Sequence, residues 1–97
     1  MADKDFILVV YDISSDKRRT KLHNALLDFG TPVQYSVFEC LLSDKEQERM
    51  KKKVLRAIRP KKDQVRSYYL CADCLKRVEV TSGKEVLHDS AKAIIVG

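Results

Sequence analysis

Phe6-Ile7-Leu8-Val9-Val10-Tyr11-Asp12 is the stretch that decides the fold. Six apolar or aromatic residues in a row, with β-branched Ile7, Val9 and Val10 among them, suit a central strand buried on both faces. The run stops at Asp12, where Ser14, Ser15 and Asp16 supply helix N-cap chemistry and a favourable first-turn charge. Leu22, Ala25, Leu26 and Phe29 then recur at i, i+3, i+4 and i+7, one apolar stripe. Gly30 suits the position after a helix end and Pro32 bars continuation, so a helix is expected over residues 16–29.

Working outward, residues 33–42 are rich in strand formers but long for one strand, so a bend or tight hairpin is expected near Ser36. Ser43-Asp44-Lys45-Glu46 matches a capping box and opens a second helix, with Met50, Val54, Ala57 and Ile58 buried, ending before Pro60. Residues 64–70 read as another strand and residues 77–80, which alternate, as a short one. The order β-α-β-β-α-β predicts a ferredoxin-like α/β (α+β) sandwich, helices on one face of a largely antiparallel sheet, with an extra C-terminal strand. The 97 residues leave room for one domain, 1–97. Residues 91–97, with the apolar run Ala93-Ile94-Ile95-Val96, read as that strand, paired either within the chain or with a partner's sheet edge.

Formal net charge is +5. A basic surplus favours polyanions, because each neutralised phosphate releases counterions, but it also describes a solvated surface. The position of the charges must decide. Lys17, Arg18, Arg19 and Lys21 fan around the first turns of helix one, and a larger block including Lys52 and Arg56 lies along helix two and the loop after Pro60. Such stripes suit a phosphate backbone without reading bases. The apolar run near the N-terminus is too short for a signal segment or a membrane span, and three cysteines make no disulfide framework, so a cytoplasmic protein without membrane contact is expected.

Asp12, a carboxylate ending a buried strand, reads either as a turn or N-cap aspartate or as a ligand for a hard cation. One carboxylate cannot hold Mg²⁺ (or Mn²⁺) tightly. A two-fold axis near the strand end would bring two copies of Asp12 together, with water and phosphate oxygens completing the shell. Such a metal would polarise a phosphoryl oxygen or lower the pKa of a bound water. Cys71-Ala72-Asp73-Cys74 has CxxC spacing in an expected strand-to-strand turn. Zinc needs about four ligands, and only Cys40, His23, His88 or a partner's CxxC could complete the set. A redox motif normally opens a helix, and no helix is predicted there. His23 reads as helix surface and His88 as loop.

Val10-Tyr11-Asp12-Ile13, then Arg18-Arg19, Gly30 and Val33-Gln34-Tyr35-Ser36-Val37-Phe38-Glu39, together resemble the small CRISPR-associated Cas two family over essentially the whole chain. The resemblance implies a ferredoxin-like homodimer that binds double-stranded DNA with the CRISPR integrase during spacer acquisition. It also implies that Asp12 is a divalent-metal ligand at the dimer axis, with Tyr11 beside it and Ser36 and Phe38 lining the site as catalytic residues. By the resemblance Arg19 and Lys21 would contact phosphates, and the charge pattern adds Arg18 and, from the second block, Lys52 and Arg56 as expected nucleic-acid contacts. The alternative within the resemblance is a Mg²⁺-dependent endoribonuclease or deoxyribonuclease acting through Asp12, on single-stranded RNA or on duplex DNA. The CxxC is not part of the family pattern. An RNA-recognition or ligand-regulatory domain on the same fold is a third reading. Against it, no basic-Gly-aromatic motif is present, and adjacent Tyr68 and Tyr69 point to opposite sheet faces.

Overall fold

The computed structural model describes residues 4–83 and residue 86. Its elements run β1 (Asp5–Asp12), α1 (Asp16–Leu26), β2 (Gly30–Gln34), β3 (Val37–Leu42), α2 (Asp44–Ala57), β4 (Gln64–Leu70) and α3 (Ala72–Lys76). The four strands form one sheet in the order β2-β3-β1-β4, with every neighbouring pair antiparallel. Each long helix therefore crosses over a strand position, which is the ferredoxin-like βαββαβ arrangement. The expected terminal strand over residues 91–97, its pairing, and His88 lie outside the described residues.

The apolar opening run takes a central place in the sheet, hydrogen-bonded to β3 and β4, with the helices covering one of its faces. Ile7, Val9 and Tyr11 point to the helices and enter a core with Leu22, Leu26, Phe38, Cys40, Met50 and Ala57. Phe6, Leu8, Val10 and Asp12 alternate onto the opposite face. Phe6 is buried there, Leu8 and Val10 half-buried and Asp12 exposed. Beside them on that face stand Val37, Glu39 and Leu41 of β3 and Arg66, Tyr68 and Leu70 of β4, fixed by the register.

Helix ends follow the capping chemistry. The Ser15 hydroxyl accepts from the Arg18 N–H at 3.2 Å. At α2 the box is reciprocal: the Ser43 N–H donates to Glu46 Oε1 at 2.8 Å and the Glu46 N–H to Ser43 Oγ at 3.3 Å. The α2 interior buries Gln47, Met50 and Ala57, with Val54 and Ile58 partly covered.

Four expectations are corrected. Helix one ends at Leu26, not Phe29, and Gly30 begins β2 instead of capping the helix. Its requirement is close approach: a Cβ there would lie 2.4 Å from the Glu39 carbonyl oxygen and 2.5 Å from Cys40 Sγ. Pro32 sits in the edge strand β2, where a missing N–H is tolerated. Residues 77–80 form no strand. The chain instead turns into α3 directly after β4, with Cys71 as its N-cap, so the CxxC opens a helix and is not a strand-to-strand turn. The anticipated hairpin turn falls at Tyr35 and Ser36. His23, expected on the helix surface, is half-buried with its ring edge-on to Phe38 at 5.1 Å.

Candidate functional site

Asp12 ends β1 opposite Gln64 of β4, on the sheet face away from the helices. Its carboxylate is exposed and takes no hydrogen bond among the described residues. It is thus neither the N-cap of α1, a role that Ser15 fills, nor a core ion-pair member. One exposed carboxylate suits a hard cation, but no group of three or more His, Cys, Asp or Glu able to hold a metal occurs among the described residues. A single chain offers one ligand here.

The residues around Asp12 divide sharply by exposure. Tyr11 is 3% exposed, its hydroxyl donating to the Tyr35 carbonyl at 3.4 Å and its N–H to the Ser36 carbonyl at 3.1 Å. Burial pushes the Tyr11 phenol above its ordinary value, so the ring stays protonated and neutral around pH 7. Phe38 is completely buried, its ring centroid 6.3 Å from that of Tyr11. Ser36 is half-buried in the hairpin turn. In the single chain, Tyr11 and Phe38 therefore lie behind Asp12 and support the strand end, and only the Asp12 carboxylate faces solvent.

The two arginines of α1 are committed. Arg18 makes a bidentate pair with Asp63, Nε to Oδ2 at 2.7 Å and Nη2 to Oδ1 at 2.9 Å. Asp63 also accepts from the Arg59 N–H at 2.8 Å, closing the turn after α2. The Arg18 hydrogen bonds hold the Asp63 carboxyl at about 2, below the usual 3.8. This clamp ties the start of α1 to the start of β4, the two segments that flank Asp12. Arg19 donates to the Ile13 carbonyl at 2.9 Å, pairs with Asp16, and lies over the Tyr35 ring at 5.6 Å. Sequence reasoning overlooked Asp63, whose only signal was an acid placed after Pro60-Lys61-Lys62. It named Tyr35 within the family motif but gave it no role; the residue is 78% exposed at the hairpin tip.

The other cations expected to meet phosphates, Lys21, Lys52 and Arg56, sit on the helical layer. Lys21 and Arg56 line one groove between α1 and the end of α2, together with Lys17 and Arg59. Lys52 and Arg56 line a second beside Phe29. Arg56 therefore joins the two into one basic strip. Lys21, Lys52 and Arg56 are exposed and carry no ion pair among the described residues, whereas Lys53 is held by Asp28 at 2.9 Å. Asp12 and this strip lie on opposite sides of the sheet.

With this geometry, the family model described as CRISPR associated protein Cas2 matches residues 5–78. The chain belongs to the Cas2 family. It is 40% identical over 76 residues to the protein named CRISPR-associated endoribonuclease Cas2 1 of Chloroflexus aurantiacus, covering 77% of this chain and 82% of that relative. The Cas2 fold is seen directly in the crystal structure of Streptococcus pyogenes Cas2 at pH 6.5, at TM-score 0.70 and 32% identity, covering 79% of this chain and 99% of that one. A chain of a partial Cas6-RT-Cas1–Cas2 complex matches at TM-score 0.72 and 27% identity, covering 87% of this chain and 92% of that one. The matched segment spans all four strands and both long helices of this Cas2-family chain, so Asp12 and the basic strip both fall inside it. No helix among the described residues is long and apolar enough to cross a membrane.

Proposed function

We propose that this Cas2-family chain is a DNA-binding subunit of a CRISPR adaptation assembly, working as a homodimer beside the CRISPR integrase. The observation that carries the reading is the strip of Lys21, Lys52 and Arg56, exposed and without ion pairs among the described residues, on the face opposite Asp12. Free cations along two packed helices suit the phosphates of double-stranded DNA, and they carry no base information. The matched chain of the Cas1–Cas2-containing complex supports an assembly role. The other sheet face supports dimerisation: Leu8, Val10, Val37, Leu41 and Leu70 are half-buried there, and neither α1 nor α2 covers them.

A second reading, a Mg²⁺- or Mn²⁺-dependent endonuclease on RNA or duplex DNA, is favoured by the exposed Asp12 carboxylate and by the relatives named endoribonucleases. Its metal would need Asp12 from both protomers, with water and phosphate oxygens filling the shell. Bound there, the cation would supply a polarised phosphoryl oxygen or an activated water. The chain's own share is the placement of that carboxylate: β1 aims it outward, Tyr11 and Phe38 brace the strand end, and the Arg18–Asp63 clamp fixes the flanks.

The assembly reading is tested by mixing the chain with the CRISPR integrase and a short DNA duplex and measuring mass by light scattering. A single complex holding both proteins, with the chain present twice, is expected. Separate elution of the chain under all salt conditions overturns the reading. For the nuclease reading, metal-dependent cleavage that Asp12→Asn leaves intact removes Asp12 from the role.

A further inference from the structure

Two side chains that nucleic-acid handling leaves unused are Cys71 and Cys74. Both are exposed and unpaired. Cys71 is the N-cap of α3 in extended conformation, and its Sγ accepts a hydrogen bond from the Cys74 N–H at 3.3 Å. That contact sets Cys71 Sγ against the backbone of Cys74, two bonds from the Cys74 Cβ, so rotation of the Cys74 side chain brings its sulfur towards Cys71 Sγ.

The paired thiols also differ in character. The Cys74 N–H, the Cys74 thiol and the Asp73 N–H all favour a thiolate at Cys71, holding it below its ordinary value. Its presence pushes the Cys74 thiol upward. The third cysteine behaves in the opposite way: Cys40 is completely buried and burial pushes its thiol up to about 11. The chain thus has one accessible dithiol and one inert thiol. The sequence did not disclose that Cys71 caps a short helical turn and takes the Cys74 N–H hydrogen bond.

We propose that Cys71 and Cys74 form a reversible dithiol–disulfide couple that reacts with low-molecular-weight disulfides of the glutathione class, Cys71 being the attacking sulfur. Cys71 Sγ, as thiolate, attacks one sulfur of the oxidant. A mixed disulfide forms, the oxidant's S–S bond breaks, and one thiolate leaves. Cys74 then gives its proton to water and attacks Cys71 Sγ, forming the internal disulfide and expelling the second thiolate. The protein loses two electrons and two protons, and the oxidant becomes two thiols. The new bond ties the residue that follows β4 to the first turn of α3, the turn that carries buried Leu75. The inference stands apart from the DNA-binding reading and survives its failure.

The test incubates the full chain with mixtures of reduced and oxidised glutathione, quenches with an alkylating reagent, and weighs the intact protein. The expected product has lost two hydrogens, takes up alkyl groups at Cys40 alone after unfolding, and reverts fully in excess reduced glutathione. Cys74→Ser, which lacks the second sulfur, is expected to accumulate one glutathionyl group on Cys71. Cys71→Ser, in which serine keeps the N-cap acceptor, is expected to react on the order of tenfold more slowly. Far-ultraviolet circular dichroism establishes that both variants are folded. Glutathionyl groups on both cysteines without an internal bond, a bond joining two chains, or equal rates for the two variants would each overturn the proposal.

Discussion

Replacing Phe38 separates a core residue from a catalytic one. Phe38 has no exposed surface, and its ring lies 6.3 Å from that of Tyr11 and 5.1 Å from that of His23. Phe38→Leu removes about three buried carbons at roughly 0.8 kcal/mol each, partly regained by repacking, so about 1–2 kcal/mol is expected. Loss of the two aromatic contacts adds about 0.5–1 kcal/mol. Phe38→Ala, with a cavity left behind, is expected to cost about 3–5 kcal/mol. For a domain of this size 1 kcal/mol moves Tm by roughly 4–8 °C, so the leucine variant melts about 10 °C lower. The assay is urea denaturation followed by circular dichroism at fixed protein concentration, with the slope unchanged and the midpoint lowered in the order wild type, Leu, Ala. Folded Phe38→Leu is expected to bind duplex DNA within about twofold of wild type, since the ring reaches no solvent. A leucine variant with an unaltered midpoint but lost nucleic-acid binding refutes the core assignment.

The Arg18–Asp63 clamp has a pH signature. Asp63 titrates at about 2 in the folded chain against the usual 3.8, so its contribution is complete above roughly pH 4 and is lost as pH falls towards 2. Urea midpoints measured from pH 6 to pH 2 should fall more steeply for wild type than for Asp63→Asn; parallel curves would remove the clamp from the account. Gly30→Ala forces a Cβ to 2.4 Å from the Glu39 carbonyl, so a loss of about 1–3 kcal/mol is expected on overpacking grounds, and an unchanged denaturation midpoint would contradict the close approach of β2 to β3.

The sequence disclosed the parts of the fold that rest on local chemistry. The apolar run ending at Asp12 predicted the central strand, and Ser43 with Glu46 predicted the start of α2 to the residue. What stayed hidden depends on distant neighbours. Gly30 reads as a helix stop, yet its reason lies in β3, the second strand of the hairpin it begins. Residues 77–80 alternate like a strand, but β4 is followed at once by a helix capped by a cysteine, a residue seldom used there. At the site, Asp12 was legible as a strand-end carboxylate. The enclosure of Tyr11 and Phe38 was not, because strand alternation assigns Tyr11 a face without revealing which face the helices cover. Arg18 and Arg19 read alike as phosphate contacts, and the structure sends one to Asp63 and the other to Ile13, Asp16 and Tyr35.

Duplex DNA affinity, measured by fluorescence anisotropy over a range of salt concentrations, tests the central claim most directly. We expect the logarithm of affinity to fall linearly with the logarithm of salt. The slope should be shallower by about two for Lys52→Ala combined with Arg56→Ala, about one per lost phosphate contact, and unchanged for Asp12→Ala. Affinity that ignores salt, or that disappears with Asp12→Ala while the double variant binds like wild type, would contradict duplex binding by the helical layer.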